Sequence, residues 1–429
     1  MTRLLPFDRY ERAGVDSGVV HLGLGAFHRA HQAPVFDDLI AGGDGRWGVT
    51  GVAMRSPDVV QALADQDGLF SLTIRGATPT APRVIGAIRG LMIAAREPEA
   101  VIAAVAAPAT QLVTLTITEK GYLDHGPAGA MAIVAAGLAR RQAAGLGAVT
   151  VMSCDNRAGN GPFARAAVLA AGAAVGVPER ALRWIDEAVA FPSTMVDRIT
   201  PATTAAMIDA NSAALGARDE AAVWTEPFWQ WVVEDRFAAA RPDLAAAGVT
   251  MVDDVAPWED AKLRLLNAAH SALAYRGLLN GFVHVHEAIG DAMLRLRVEA
   301  LWDEAATTLD MGTVDVPSYR AALLRRFANP ALPHALIQIA ADGSQKLPPR
   351  ILATMAERRA RGLASPALAW AVAGWIRALR SENGLKDPLL PQVQGLARAG
   401  APVTALLAVI GVEGDPAMAA EVEAALAAG

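Results

Sequence analysis

The chain contains one cysteine, Cys154, in 429 residues. That excludes an internal disulfide and any cysteine-based zinc cluster. No basic cluster stands out, and the net charge of -6 with a pI near 5.8 argues against nucleic acid or an anionic membrane as partner. No run of about 18 apolar residues suggests a membrane span. Val101–Ala107 is apolar but short, and Pro108 ends it. The first residues, Met-Thr-Arg-Leu-Leu-Pro-Phe-Asp, have no apolar core of a secretory signal. His125, His284, His286 and His334 have no partners at metal-ligand spacing except the pair His284-x-His286, which reads as part of a helix. No metal is assigned. The expectation is a cytoplasmic enzyme.

What is present suits a large, Ala-rich globular core, and the length suggests two domains. Over the first half, strands and helices alternate. Val19–Leu22, Gly48–Ala53, Leu112–Ile117 and Val149–Ser153 read as strands, with helices over 36–41 and 130–144. Phe70–Ile74 and Val84–Ile88 read as an added hairpin. This alternation predicts a parallel sheet in a doubly wound α/β, Rossmann-like domain, whose ligands sit beyond the C-terminal strand ends. Glu119, Lys120, Asp155 and Asn156 lie at such ends. Past about residue 255 the strand patterns fade. Long helices are expected over 260–306, 319–327 and 349–380. The predicted organisation is a dinucleotide-binding domain over 1–254 and a mostly α-helical substrate and catalytic domain over 255–429.

The most informative stretch is Trp258-Glu-Asp-Ala-Lys-Leu-Arg-Leu-Leu-Asn-Ala-Ala-His-Ser-Ala-Leu-Ala-Tyr275. No Gly or Pro falls between Glu259 and Tyr275, so it reads as a helix. At about 100° per residue, Glu259, Lys262, Asn267 and His270 share an arc of roughly 140° beside an apolar face. A lysine can give or take a proton, an asparagine can donate to an oxyanion and a histidine can position a hydroxyl. The bland alternatives are a solvated polar stripe and one core histidine with a satisfied hydrogen bond.

A second stretch, Gly18-Val-Val-His-Leu-Gly-Leu-Gly-Ala-Phe-His-Arg-Ala-His-Gln32, runs from a buried strand into a Gly-x-Gly turn. Gly23 permits the tight turn and Gly25 lets the backbone approach a pyrophosphate. His28 stands where the third glycine of the usual fingerprint would be. The next helix is expected to start near Ala33, with Pro34 in its first turn. Phe27 completes the fingerprint, and His28 and Arg29 are candidates for contacts to the cofactor phosphates.

These stretches, with Thr116-Ile-Thr-Glu-Lys-Gly-Tyr122, Ser153-Cys-Asp-Asn-Arg-Ala-Gly-Asn-Gly161, Phe191-Pro-Ser-Thr-Met-Val-Asp-Arg-Ile199, Glu226-Pro-Phe-Trp-Gln-Trp-Val-Val-Glu-Asp235 and Asp342-Gly-Ser-Gln-Lys-Leu-Pro348, resemble the polyol-specific long-chain dehydrogenases, the mannitol dehydrogenase family. The resemblance spans nearly the whole chain. It implies Lys262 as the general base, with Asn267 and Asn160 as donors to the substrate oxygen and His270 holding the substrate. Glu259 would relay the proton to water. Asn156, Asp197, Lys346 and Arg350 would contact substrate; Gly23, Gly25, Phe27, His28, Arg29, Glu119 and Lys120 would contact cofactor. The alternatives are ordinary: an Asn-Gly turn for Asn160, a helix-face ion pair for Glu259, a partner to Arg198 for Asp197, a solvated lysine for Lys346.

The resemblance implies NAD as cofactor. NADP is the alternative, because Arg55 and Ser56 occupy the tip after the second strand, where an acidic residue would accept the adenosine ribose hydroxyls. The run Gln338–Arg350 is similar to the fructuronate reductase branch, which implies D-fructuronate and D-mannonate as substrates; mannitol or arabinitol oxidation is the runner-up. A nucleotide-binding regulator on the same scaffold is a distant third. A monomer or weak homo-oligomer is expected.

Overall fold

In a computed structural model, residues 5–78, 80–124, 126–381, 384–412 and 415–429 are described. His125 lies outside them. The chain divides into two compact units, Met1–Ala256 and Pro257–Gly429.

The first unit is built on a five-stranded parallel sheet. Its strand order is Ile88–Ile93, Val49–Ala53, Val19–Leu22, Leu112–Leu115, Thr150–Ser153. The chain starts in the middle, moves to one edge and then crosses to the other, the doubly wound arrangement whose switch point lies beside the first strand. The first strand is buried along its whole length, as a strand covered on both faces must be. Val101, Val105, Ile133 and Val168 cover one face; Phe36, Trp47, Trp231 and Met152 belong to the core on the other.

Two three-stranded sheets accompany it. One has the order Thr250–Val252, Gln230–Glu234, Thr194–Asp197; the other Arg83–Ile85, Phe70–Ile74, Val223–Thr225. Phe70–Ile74 does pair antiparallel with its successor, but the expected hairpin strand Val84–Ile88 stops at Ile85. There the Gly86 amide turns to Asp37 Oδ1 at 2.8 Å. Ile88–Ile93, interrupted in sequence by Arg89 and Gly90, is a separate strand at the edge of the main sheet.

The helix expected near Ala33 is preceded by another, Ala26–His31, which starts directly after the glycine turn. The second, Ala33–Ala41, follows at once. The break is Pro34. It has no N–H to give the Ala30 carbonyl, and that oxygen accepts from Arg198 Nη1 instead, at 2.6 Å.

The second unit is helical. The helical stretch expected over 260–306 consists of Ala256–Ala261, Lys262–Asn267, Ala268–Leu279, Val285–Gly290 and Ala292–Ala306. Gly281, at φ +81°, reverses the chain between the third and fourth. Likewise 349–380 is three segments, Pro348–Leu352, Ala353–Ala360 and Pro366–Arg380. No helix among the described residues is long and apolar enough to cross a membrane.

Candidate active site

In the first unit the glycine turn is held by a buried histidine. His21, in the first strand, places Nδ1 2.8 Å from Thr114 Oγ1 and Nε2 3.0 Å from Thr116 Oγ1 and 3.2 Å from the Gly23 carbonyl. Thr116 Oγ1 donates to the same carbonyl at 2.8 Å. Burial pulls the His21 pKa down to about 3, so the ring is neutral. Gly23 has φ +103°, and a Cβ there would drive into the Thr116 carbonyl. Only glycine fits. At Gly25 a Cβ would meet nothing closer than 3.7 Å, and no side chain caps the helix that begins at Ala26. The backbone is therefore open where a pyrophosphate is expected, and Gly23 and Gly25 fit a dinucleotide.

His28 and Arg29 correct the sequence expectation. The His28 ring is fully buried and stacks on His21 at 3.5 Å, and burial holds its pKa well below the ordinary value. Arg29 is also buried. Its guanidinium donates to the Ala221 carbonyl and lies 5.8 Å from the centre of the Phe70 ring. Neither side chain reaches solvent on the turn. Phe27 stacks on His31 at 4.9 Å. Glu119 and Lys120 are exposed on the short helix Thr118–Tyr122, and Glu119 pairs with Arg157 at 3.4 Å.

Asp155, which the sequence places at a ligand-binding strand end without a role of its own, anchors this end of the sheet. Its carboxylate accepts from the amides of Ile117 (3.1 Å) and Thr118 (2.9 Å) and from the Tyr122 hydroxyl (2.8 Å). It thereby supports Thr118 at φ +63°, a conformation costly for a β-branched residue. Burial raises its pKa, and those three hydrogen bonds oppose the rise. Its position in Ser-Cys-Asp-Asn beyond a strand end is the one local signal of that role.

Asn160 also corrects the expectation. It is fully buried; both amide hydrogens go to carbonyls, of Thr194 at 2.8 Å and Asp155 at 3.1 Å, while Oδ1 accepts from the Thr194 amide at 2.9 Å. No donor is left for a substrate oxygen. Asn160 instead ties the strand Thr194–Asp197 to the helix it begins. Gly161 allows the approach, since a Cβ there would lie 2.7 Å from the Ser193 amide. Asp197 is buried at the end of that strand, and Asn156 is exposed on the preceding loop.

In the second unit the expected α-helix is not α throughout. Lys262–Asn267 is a π-helical turn, with the Ala268 amide bonded back to the Leu263 carbonyl. The uniform 100° wheel therefore fails there, and the wider turn brings Lys262 and Asn267, five apart, into rough vertical alignment. Lys262 is 8% exposed, a lysine held almost wholly inside. Glu259 is half-buried one turn earlier. Among the described residues none hydrogen-bonds the Asn267 side-chain amide. His270 is buried between Phe327 (4.7 Å) and His334 (5.5 Å), and its Nε2 has no partner among the described residues. Burial first, then His334, Arg326 and Arg350, pull its pKa well down and keep it neutral.

A second π-helical turn, Pro348–Leu352, carries Arg350. Its Nη1 donates to Ser271 Oγ at 3.2 Å and the Asn267 carbonyl at 3.4 Å. Burial brings its pKa down to about 10. Among the described residues no carboxylate lies within ion-pair distance of it. Lys346 stands close by, on Gly343–Leu347, and donates to the Ala341 carbonyl at 2.7 Å; burial and then Arg350 lower its pKa. Gly343 lets that helix lie against Tyr275 and Trp375, where a Cβ would come within 2.7 Å of Trp375 Nε1. His284 and His286 stack at 5.5 Å, and no group of three His, Cys, Asp or Glu among the described residues could hold a metal ion.

A doubly wound sheet with an open glycine turn, followed by a helical unit with a buried lysine and a histidine whose Nε2 has no partner among the described residues, is the scaffold of an oxidoreductase. The chain belongs to the mannitol dehydrogenase family: the family's Rossmann domain matches residues 17–246 and its C-terminal domain residues 254–428. It is 40% identical to the uncharacterized oxidoreductase YeiQ of Escherichia coli (strain K12), over 95% of this chain and 90% of that protein. It is 37% identical to the D-mannonate oxidoreductase of the same organism, with the same coverage. The mannitol 2-dehydrogenase of Phaeosphaeria nodorum is 40% identical over 90% of this chain and 74% of its own. Among solved structures, the Pseudomonas fluorescens mannitol 2-dehydrogenase ternary complex with NAD and D-mannitol superposes with a TM-score of 0.84. It is 35% identical and covers 98% of this chain and 93% of its own.

Proposed function

We propose that the chain catalyses reversible hydride transfer between NAD and C2 of a sugar acid, interconverting D-mannonate and D-fructuronate in the cytoplasm. The nicotinamide, when bound, supplies or accepts the hydride. The remaining work falls to side chains. Lys262, as the uncharged amine, takes the proton from the C2 hydroxyl and returns it in the reverse direction. Asn267, whose amide is unengaged among the described residues, donates to the developing oxyanion. His270 Nε2 holds a substrate hydroxyl and so satisfies a polar atom that burial leaves costly. Glu259 passes the proton onward to water. Asp197 and Asn156 contribute substrate contacts, and Asn160 contributes by holding the Asp197 strand in place. Glu119 and Lys120 stand at a strand end suited to the cofactor. The chain acts as a monomer or weak homo-oligomer.

The observation that carries the acidic substrate is Arg350. A partly buried guanidinium with no carboxylate in ion-pair distance among the described residues leaves positive charge uncompensated next to Asn267, while its neighbour Lys346 is paired with Asp342 at 3.9 Å. A substrate carboxylate would neutralise it. The second reading is oxidation of mannitol or arabinitol, favoured by the likeness to mannitol 2-dehydrogenases. Comparing kcat/KM for fructuronate and fructose, in wild type and Arg350→Ala, tests the choice. A charge-assisted contact worth about 1.5–3 kcal/mol gives the uronate an advantage of at least about tenfold, and the variant loses it. Equal efficiency on both sugars in wild type would replace the uronate reading with the polyol one.

A further inference from the structure

The adenosine end of a cofactor in a doubly wound sheet lies over the C-terminal end of the second strand. Here that strand is Val49–Ala53, and the glycine turn is fastened to it: the amides of Gly23 and Leu24 donate to the Val52 carbonyl at 2.9 and 3.1 Å. Beyond the strand the chain continues Met54-Arg-Ser-Pro-Asp58. The acidic group that would take the two ribose hydroxyls of NAD is missing from the tip itself. Arg55 stands there instead, with its side chain 84% exposed.

Two details decide what this tip can bind. Asp58 is the first carboxylate after the strand, and it is already used. Its Oδ2 accepts from Ser56 Oγ at 2.9 Å, in the first turn of the helix Asp58–Ala64, where a negative charge suits the helix dipole. Among the described residues Arg55 holds only an exposed pair, Nη2 to Asp124 Oδ2 at 3.2 Å, with Asp124 itself 41% exposed. Such a pair is weak and easily exchanged. A phosphate dianion offers the guanidinium a stronger, two-pronged partner.

We propose that Arg55 is a 2′-phosphate contact, so that the chain accepts the 2′-phosphorylated dinucleotide NADP as well as NAD. The proposal rests on the glycine turn being the cofactor site but not on which sugar is reduced. Its test therefore uses binding alone. The affinities of adenosine 2′,5′-bisphosphate and adenosine 5′-monophosphate, which differ only in the 2′-phosphate, are measured by calorimetry at about 0.1 M salt, where exposed charges are partly screened. Wild type is expected to bind the bisphosphate at least about tenfold more tightly, the size of one charge-assisted contact. Arg55→Ala should reduce that advantage to less than about threefold while leaving the monophosphate unchanged. Arg55→Asp should reverse it. A wild type without preference for the bisphosphate, or an Arg55→Ala protein that retains the preference, overturns the proposal. Either result leaves the proposed reaction untouched.

Discussion

Replacing Lys262 by methionine separates chemistry from packing. The lysine is 8% exposed, so its methylene stem is part of the interior. Methionine keeps most of that volume, and such swaps usually cost less than about 1.5 kcal/mol of stability. The π-turn is held by backbone bonds, such as Ala268 to the Leu263 carbonyl, that the side chain does not make. Asn267 and His270 therefore keep their places. What disappears is the amine that moves the hydroxyl proton. Loss of a general base costs about 10²–10⁴-fold in rate, or roughly 3–5 kcal/mol in the barrier at about 1.36 kcal/mol per decade. The assay is single-turnover and steady-state reduction followed at the nicotinamide absorbance, with thermal unfolding and cofactor binding measured in parallel. The expected result is a fall in kcat of at least about 100-fold, near-native unfolding and unchanged cofactor affinity. The low-pH limb of the rate profile should flatten, because protonation of a missing amine can no longer limit the reaction. A variant that retains more than half the wild-type rate removes Lys262 from the mechanism.

Activity is expected to survive prolonged EDTA treatment, because no metal-holding cluster exists among the described residues; loss on chelation, restored by zinc, would refute this. Acid should destabilise the fold through its buried histidines. With the His270 pKa held well below 6.5 in the folded state, the unfolded chain binds the proton first. The stability is complete above about pH 6.5 and falls as pH drops below it. Between about pH 6.5 and 5 this one group removes up to about 2 kcal/mol, which denaturant midpoints for wild type and His270→Asn would reveal as a difference in slope. Gly343→Ala should cost about 1–3 kcal/mol by overpacking and should lower turnover along with stability, since a Cβ would press on Tyr275 and Trp375 behind the Lys346 helix. An unchanged melting temperature would mean that the helix moves aside without strain.

Much of the framework is legible in local pattern. The runs Val19–Leu22 and Leu112–Leu115 are buried throughout and apolar except for His21 and Thr114, because both faces of the sheet are covered and burial on both faces needs no alternation. The Gly23 turn is legible for a similar reason, since its conformation admits only glycine. Other features depend on contacts far away in sequence. Arg29 reads as a phosphate ligand because basic groups next to a glycine turn often are. The carbonyl of Ala221 and the ring of Phe70 take it inward, and nothing local announces them. Asn160 reads as a donor to substrate, but Thr194, 34 residues later, uses its amide. His21 reads as a lapse in an apolar strand; its partners Thr114 and Thr116 lie on the neighbouring strand and the turn after it. The π-turn is invisible in sequence because no residue in Lys-Leu-Arg-Leu-Leu-Asn distinguishes it from an α-turn by propensity.

That turn has a consequence for how this protein can change. A π-turn holds one residue more than the α-turn it replaces, so it behaves as an insertion stored inside a helix. Removing any single residue between Lys262 and Asn267 would let the helix relax to the regular form. The amine and the amide would then be four residues apart, about 40° from each other on a regular α-helix, and would still share one face. Substitution can tune this helix at the half-buried Leu263 more readily than at Leu266, which is 3% exposed. A one-codon deletion here would keep the two groups in phase, whereas regular α-helix at the present length would set them about 140° apart.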